Sequence, residues 1–445
     1  MANETYTLIQ KTTLNASAAS ITFSSIPQTF TDLVVKLSAR SNRADVYDSA
    51  LINPNNSTTN LTDRYLISYS GTTTASGTDT TGLLTFGVNG NTATSNTFGN
   101  AEVYFPNYGS SNYKSWSADG VLENNAADAR NGLTASLWSN SAAITSLVIK
   151  PQGGTLFVQY SSFSLYGVAK QGVTPVAGPK ASGGDIITND GTYWIHQFLN
   201  SGTFTPSQTL STEYLVVAGG GGGGWSAGGG GGAGGYLTAS GLSATAQSYA
   251  ITVGAGGTGG TNGSNTTSGT NSTYSSITST GGGKGGSGGG SGSGNPGSGG
   301  SGGGGNGYDF TTGGIASPSG QGYAGGNGAV TGAKGVQGGG GGAGAVGANG
   351  VASTSNGAGG TGLSSSITGT AITRAGGGGA GADTRDNSVA GAGGSGGGGG
   401  GSSSGAGTAA TVNTGGGGGA GAYTGTSYNG GAGGSGIVII RYTIA

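Results

Sequence analysis

Three interruptions in a glycine-rich C-terminal half contain the side chains best suited to bind another molecule. They span residues 306–319, 383–389 and 423–429. Exposed aromatic rings can stack on sugars or fill protein pockets, while carboxylates and amides form hydrogen bonds with hydroxyl groups. The same aromatic rings could equally cover the ends of packed segments, and we expect only the turns at the far end to form a contact surface. The candidate contact residues are Tyr308, Asp309, Phe310, Arg385, Asp386, Tyr423 and Tyr428.

Carboxylates in the first half of the chain could supply a catalytic pair. A glycosidase needs two carboxyl groups about 5–9.5 Å apart, and a linear sequence does not give that distance. We expect most of these side chains to form turns or face solvent, although Asp45 and Asp48 with Asn42 also offer the oxygen ligands that Ca²⁺ prefers. The carboxylates are Asp32, Asp45, Asp48, Asp63, Glu102, Asp119, Glu123 and Asp128.

The remaining chemical motifs favour no reaction. The chain has one histidine, His196, and no cysteine, so we expect this ring to be packed or hydrogen-bonded rather than catalytic. Residues 254–259 match G-x-G-x-x-G and residues 285–289 match G-x-S-x-G. Both motifs require a following helix that the sequence does not indicate. We therefore predict a protein that is not an enzyme and has no cofactor or metal site.

The composition excludes several classes of partner. Charged residues make up 7% of the 445 positions, against about 25% in an average domain. The formal net charge is −1, which disfavours nucleic-acid binding because that normally requires clustered Lys and Arg. The sequence indicates no signal peptide and no apolar run of the roughly 20 residues that a membrane helix needs. We expect a protein that is not embedded in a membrane.

Residues 1–170 predict an antiparallel sandwich resembling a jelly roll. Short alternating segments separated by turn-forming residues indicate about eight to ten strands. Ile21 and Phe23 share one face, as do Leu33, Val35 and Leu37, and residues 125–130 could form a helical turn. Further strand candidates are residues 65–69, 83–86, 102–105, 133–138, 144–149 and 162–168.

The rest of the chain divides by composition. Residues 171–184 combine Pro, Gly and small polar residues, as in a linker, and residues 185–212 predict a short β-rich neck. Residues 213–445 are dominated by glycine, of which the whole chain has 107. Such a composition alone is typical of a flexible linker, because glycine loses the most backbone entropy on folding.

Two features predict an ordered glycine-rich domain instead. Apolar segments at residues 213–217 and 437–442 bracket the region and could pair at its base. Between them, glycine tracts alternate with short stretches richer in Ser, Thr, Asn and aromatic residues, as rods alternate with turns. Polyproline-II-type helices have three residues per turn and no internal hydrogen bonds, so their backbone groups must pair with neighbouring rods. The predicted fold class is all-β plus polyglycine-II, with a C-terminal sandwich of such rods.

A family resemblance supports this interpretation. The stretch from EYLVVA at residues 213–218, through GGGGGAGGY, to residues 436–442 resembles the glycine-rich domain of phage tail-fibre proteins. It is more distantly similar to the tail-tip adhesins of T-even-type phages. Residues 5–168 also resemble an N-terminal β-module of phage virion proteins, through TLIQKTTLNASAASITFSSIP and TDLVVKLSARS. The resemblance implies a polyglycine-II sandwich whose distal loops recognise a host receptor.

The sequence thus predicts a structural virion protein, a tail-fibre or adhesin component that attaches a phage to its host. The expected partners are other virion proteins and a host-surface glycan or outer-membrane protein, and the expected assembly is a homo-oligomer, with a trimer favoured. We expect it on the particle surface, released by lysis without a signal peptide. One alternative is a capsid or tail decoration fibre without a specific receptor. A less favoured one is a polysaccharide depolymerase using carboxylates of residues 1–170.

Overall fold

The fold is that of a computed structural model, which describes residues 6–69, 73–77, 83–123, 129–169, 178–262, 266–288, 294–309, 311–331, 334–352, 354–386 and 388–444. In these ranges one short 3₁₀ helix, Thr384–Asp386, accompanies the strands, and the predicted all-β class is confirmed. The chain divides into two compact units. The first comprises Met1–Lys180, Asp185–Trp194 and Thr443–Ala445, and the second comprises Ala181–Gly184 and Ile195–Tyr442.

The strands are numbered in chain order. The first twelve are β1 (Tyr6–Thr13), β2 (Ile21–Phe23), β3 (Phe30–Arg40), β4 (Tyr47–Pro54), β5 (Leu61–Tyr69), β6 (Thr73–Gly77), β7 (Leu83–Asn89), β8 (Gly99–Phe105), β9 (Lys114–Leu122), β10 (Arg130–Trp138), β11 (Leu147–Pro151) and β12 (Ser162–Ala169). The others are β13 (Ala181–Ser182), β14 (Ile186–Asn189), β15 (Tyr193–Phe198), β16 (Gly202–Pro206), β17 (Leu210–Val217), β18 (Tyr236–Ala244), β19 (Tyr249–Thr252), β20 (Ser272–Tyr274), β21 (Ile277–Ser279), β22 (Ala329–Thr331), β23 (Lys334–Val336), β24 (Leu363–Ser365), β25 (Ile372–Arg374) and β26 (Ile437–Thr443).

The first unit is built from two sets of strands around one core. Antiparallel neighbours in the larger set follow the order β14–β1–β12–β3–β8–β9–β10–β5–β6. The smaller set is β2–β11–β4–β7. Leu37 and Phe163 from the larger set and Ile52 and Ile149 from the smaller set belong to the same buried cluster. Burying each such side chain contributes about 1.5–3 kcal/mol, so this core holds a sandwich-like unit together.

Most of the predicted strands in this unit are present, with some differences. Twelve strands lie in the described residues between Tyr6 and Ala169, more than the number predicted. Strand β9 was missed because its inward-facing side chains include the small Ala118 and Gly120 beside Trp116, which hides the apolar alternation. The segment predicted at residues 144–149 is strand only from Leu147. The predicted helical turn falls mostly on residues 124–128, outside the described residues.

The second unit is closed by its two bracketing strands, as the sequence predicted. β17 and β26 pair antiparallel, with Val217 opposite Ile437 and Glu213 opposite Arg441. The Arg441 guanidinium donates to Oε2 of Glu213 at 2.8 and 2.9 Å. On its other edge β17 pairs with β18. The strand pair therefore fixes where the glycine-rich segment begins and ends.

Beyond Ala218, the glycine tracts bond to one another in a repeating pattern. In the tract of residues 218–224, backbone N–H groups donate to three neighbouring segments in turn, and the sequence of partners repeats every three residues. Gly219 donates to Thr270 and Gly222 to Thr267, in the first segment. Gly220 donates to Gly434 and Gly223 to Gly431, in the second. Gly221 donates to Gly232 and Gly224 to Gly229, in the third. We call the array of tracts bonded in this way the glycine lattice.

The lattice requires glycine because neighbouring backbones approach each other closely. A Cβ atom built on Gly378 would lie 2.0 Å from the carbonyl oxygen of Gly418. One built on Gly220 would lie 2.0 Å from that of Gly416. Both clashes involve backbone atoms, which have no rotamer with which to move aside. Any side chain at these central positions must push two tracts apart.

Candidate functional site

The three glycine-poor interruptions begin at the same end of the glycine lattice. The tract of residues 218–224 starts at strand β17, so its last residue marks the far end. Gly421 donates to the carbonyl of Gly224, and Gly381 donates to that of Gly228, just beyond the turn. The side-chain amide of Asn306 donates to Ser287, next to Gly288, whose N–H bonds Trp225. Tracts 300–306, 376–382 and 415–421 thus end together, and we call this the distal end.

The buried carboxylate of Asp383 organises the distal end. The hydroxyl of Tyr308 donates to its Oδ2 at 2.5 Å. The Arg385 guanidinium donates to Oδ1 from Nε at 2.9 Å and to Oδ2 from Nη2 at 2.6 Å. The Arg385 backbone N–H also donates to Oδ1 at 3.0 Å. Because the Asp383 side chain is fully buried, these donors replace the water that its charge would otherwise require.

Arg385 connects this carboxylate to the third interruption. Its guanidinium carbon lies 4.4 Å from the ring centroid of Tyr423, and its Nη2 donates to the Tyr308 hydroxyl at 3.2 Å. The Tyr423 N–H bonds the carbonyl of Ala382, and the Thr384 N–H bonds that of Tyr423. Residues far apart in sequence therefore form one group, which we call the distal cluster: Tyr308, Asp383, Arg385 and Tyr423.

Electrostatics keep this cluster in one protonation state. Burial raises the pKa of the Tyr308 hydroxyl well above its usual value, and the Asp383 carboxylate reinforces that effect. Burial also works to raise the pKa of Asp383, but hydrogen bonds from Arg385 and Tyr308 outweigh it and leave that pKa below its usual value. The bond to Asp383 raises the pKa of Arg385. At neutral pH the cluster holds a carboxylate, a guanidinium and a neutral phenol.

This arrangement presents a ring face and hydrogen-bond donors rather than an acid or base. The Arg385 side chain is 46% exposed, whereas that of Asp383 is fully buried. A ligand at the surface would therefore meet the guanidinium and the half-buried Tyr423 ring, while the carboxylate anchors them from below. Such a surface can hydrogen-bond hydroxyl or carbonyl oxygens and stack on an apolar face.

The remaining candidate residues differ in their surroundings. Asp309 is exposed, and its backbone N–H, like that of Tyr308, donates to Oδ1 of Asn306. Tyr428 is half-buried, with its carbonyl bonded to the N–H of Ser226. Phe310 and the side chain of Asp386 lie outside the described residues.

Two residues that organise the distal end were not among the candidates from sequence. The sequence analysis included Asp383 and Asn306 only as the first residues of the interruptions 383–389 and 306–319. Each directly follows a glycine tract, where a polar side chain can accept bonds from the N–H groups of the turn that begins there. That position, the first polar residue after a tract, is the signal that could have identified both.

His196 has the structural role that the sequence favoured. It is fully buried, with Nδ1 2.6 Å from the Gly183 carbonyl and Nε2 3.0 Å from the Tyr442 hydroxyl. A carbonyl only accepts, so Nδ1 carries the proton and Nε2 accepts from Tyr442. Burial lowers the pKa of the ring to about 4. His196 is therefore a neutral packing residue against Phe204 and Tyr442.

Several first-half carboxylates stabilise loops. Asp48 is buried and accepts bonds from Ser41 and from the backbone N–H groups of Gly153 and Gly154. Asp32 accepts from the Tyr104 hydroxyl, and Oδ1 of Asn42 accepts from the N–H of Thr155. The oxygens of Asn42 and Asp48, considered above as Ca²⁺ ligands, therefore already bond protein donors.

The described ranges contain neither a candidate metal site nor a candidate membrane-spanning helix. No group of three or more His, Asp or Glu side chains in them is placed to hold a metal ion. None of the helical segments in the same ranges has the length and apolar character needed to cross a membrane. The G-x-G-x-x-G motif at residues 254–259 lies in the glycine lattice, where Gly257 donates to the carbonyl of Gly220.

Comparison with known proteins places the second unit in a family. Residues 199–443 match the family model described as "Glycine-rich domain". Searches of curated proteins and of solved structures found no match. The matched region includes strand β17, the glycine lattice, the distal cluster and strand β26, and it covers more than half of the 445 residues. The chain therefore belongs to the glycine-rich domain family.

Proposed function

We propose that this protein is a structural component of a phage virion, a tail-fibre or adhesin subunit that attaches the particle to its host. The observation that carries the proposal is the convergence of three interruptions into the distal cluster, at the end of the lattice opposite the β17–β26 pair. A rigid support with a small group of ring and guanidinium side chains at its tip suits recognition of a cell surface.

The lattice in this proposal consists of polyglycine-II helices. The hydrogen-bond partners repeat every three residues, which is the number of residues per turn in that helix. The clash that a Cβ would make at Gly378 fits rods packed with their backbones in contact. Amide exchange tests this directly, because residues 218–224 and 376–382 should be protected although they form no strand or α-helix.

The distal cluster suits a hydroxyl-rich ligand, such as a host-surface glycan or a polar outer-membrane protein loop. Arg385 is held in place by Asp383, so little side-chain entropy is lost when it binds. The half-buried Tyr423 ring, over which the guanidinium lies, adds apolar surface beside it. Neither group supplies a nucleophile or a free base, so the proposal is for binding without catalysis.

In the same proposal the first unit, with a jelly-roll-like topology, docks to other virion proteins. Leu66, Val121 and Leu133 are 50%, 45% and 60% exposed on neighbouring strands of its large sheet. Exposed apolar groups of this kind mark interaction surfaces when they are contiguous. We propose a homo-oligomer, with a trimer favoured, on the particle surface.

Adsorption of particles carrying point variants tests the attachment role. Arg385→Ala and Tyr423→Ala should each reduce adsorption to host cells, by roughly tenfold if either side chain is a main contact. Tyr323→Ala is the matched control, because Tyr323 is an exposed tyrosine of the second unit whose N–H bonds Gly342, away from the distal end.

Particle assembly must be unchanged in all three variants for the comparison to hold, and electron microscopy with protein quantification checks this. If intact particles with both distal substitutions adsorb as well as the Tyr323→Ala particles, the adhesin role is wrong. A decoration fibre without a specific receptor would then explain the architecture better.

A further inference from the structure

A buried arginine lies at the start of one glycine tract, at the end of the lattice opposite the distal end. Arg374 is the last residue of β25, which forms a hairpin with β24, and the tract of residues 376–382 follows it. The residue is 4% exposed. Its position is fixed by the next residue, Ala375, whose N–H bonds Thr414 and whose carbonyl accepts from the N–H of Ala343. The second unit thus encloses the Arg374 guanidinium.

This guanidinium has no counter-ion among the described residues. None of their carboxylates forms an ion pair with Arg374, and its Nη1 has no hydrogen-bond partner. Glu213, on the strand that closes this end of the lattice, is paired with Arg441 instead. Burial lowers the pKa of Arg374, but an arginine side chain keeps its proton in proteins. A positive charge is therefore buried without a negative one.

Arg40 in the first unit shows how the same chain buries a guanidinium with its own acceptors. Arg40 is 8% exposed, and both of its Nη atoms donate to backbone carbonyls of residues 91–97, at distances from 2.7 to 3.2 Å. Four carbonyl oxygens thus replace the water around that cation. Buried polar groups are usually satisfied in this way. Because Nη1 of Arg374 has no such acceptor, a bound ligand is the remaining source of one.

Two hydroxyl groups accompany the Arg374 guanidinium. Tyr236, the first residue of β18, is 6% exposed, lies close enough to interact with the Arg374 charge, and forms a hydrogen bond with the Ser365 hydroxyl. Burial raises the pKa of Tyr236 and outweighs the opposing effects of Ser365 and Arg374, so the phenol is neutral and does not balance the cation. One guanidinium and two hydroxyl groups are together a set of donors, which suits an anion.

We propose that Arg374 and Tyr236 bind a small monovalent anion, of the size of chloride, and that this anion stabilises the second unit. A single negative charge balances the single guanidinium, whereas a dianion would leave an excess charge buried, which is costly. The low exposure of Arg374 and Tyr236 favours a small ion over a bulky organic one. A water molecule would complete the hydrogen bonds but would not balance the charge. The site is independent of the proposed attachment role.

Amide exchange of the full chain, measured at constant ionic strength, tests this assignment. Sodium chloride replaces sodium gluconate in steps, because gluconate is also monovalent but is too bulky for a buried site. An anion that binds only the folded state stabilises it by mass action. Above the dissociation constant, each tenfold rise in chloride should slow exchange of the best-protected amides of the second unit by about tenfold. Amides of the first unit should not respond and provide an internal reference.

Variants locate the effect to this site. Arg374→Met removes the charge and keeps an unbranched apolar chain, and replacing a buried charge by an apolar side chain is often tolerated. This variant should lose the chloride dependence. Lys284→Met is the matched control, because it removes a half-buried cation of the same unit that lies outside the β24–β25 hairpin. It should keep the full chloride dependence.

Crystals of the unmodified protein grown in bromide give a second readout, which does not depend on whether Arg374→Met folds. Anomalous scattering should place a bromide ion beside the Arg374 guanidinium and the Tyr236 hydroxyl. The inference is wrong if exchange is the same in chloride and gluconate, if Arg374→Met keeps the chloride dependence of Lys284→Met, or if no bromide lies beside Arg374. These outcomes leave the attachment proposal untouched, because Arg374 and Lys284 are not part of the distal cluster.

Discussion

Replacing one central glycine of the lattice by alanine is the sharpest test of how the second unit is held together. Gly378 donates to the carbonyl of Gly231 and accepts from the N–H of Gly340. An added Cβ would lie 2.0 Å from the carbonyl oxygen of Gly418. Gly378→Ala therefore forces apart tracts that are bonded to each other on several sides.

The expected cost follows from what must move. Overpacking a well-packed interior typically costs about 1–3 kcal/mol, and the colliding atoms at Gly378 are backbone atoms that bond elsewhere in the lattice. We expect a loss near the upper value, about 3 kcal/mol. For a unit of this size, that lowers the melting temperature by roughly 6–12 °C.

Gly400→Ala provides a control of opposite sign. The nearest atom to a Cβ at Gly400 is the Gly393 nitrogen, 3.9 Å away, and the backbone there is not in the left-handed region. Alanine then mainly reduces the freedom of the unfolded chain, which stabilises by about 0.4–1 kcal/mol. Differential scanning calorimetry of both variants measures the two shifts. Equal shifts, or an unchanged melting temperature for Gly378→Ala, would refute the idea that backbone contact holds the lattice.

Two further predictions follow from buried ionisable groups in the second unit. The pKa of His196 is lowered to about 4, so the unfolded chain, with a value near 6.5, takes up a proton first as the pH falls. The stabilisation is complete above about pH 6.5, and up to about 3 kcal/mol is lost as the pH falls to about 4. Urea denaturation over this range measures it, and a His196→Gln variant with the same pH dependence would contradict it. Asp383→Asn should cost about 1–3 kcal/mol by leaving the Arg385 guanidinium without its carboxylate, and faster amide exchange at residues 383–385 and 423–427 would report it. Unchanged exchange there would show that Asp383 does not organise the distal end.

Sequence patterns identified several of the strands whose inward residues are large. The alternation of Leu33, Val35 and Leu37 identified β3, and the apolar runs at residues 213–217 and 437–442 identified the pair that closes the second unit. Strand β9 was not predicted because alanine and glycine occupy inward positions. Alternation is visible only when side-chain size marks the two faces.

The candidate site was predictable in its parts but not in its assembly. The interruptions containing Tyr308, Arg385 and Tyr423 stood out because they lack glycine and contain rings and charges. Their convergence depends on which tracts run in the same direction, and tracts of nearly identical glycine sequence give no sign of direction. Asp383 was not predicted as a candidate because its importance comes from its burial and from its hydrogen-bond partners. The local sequence indicates neither property.

The period of three in the glycine lattice has a consequence for how such a chain can change in length. Removing one residue inside a tract would rotate every later N–H group by a third of a turn and direct it at a different neighbour. Losing or gaining three residues would restore each group to its former direction. The length of a tract can therefore change only in steps of three residues if its hydrogen-bond partners are to be kept, whereas the length of a turn can vary freely. Those turns include the ones at the distal end, so the tip can diversify while its support stays unchanged.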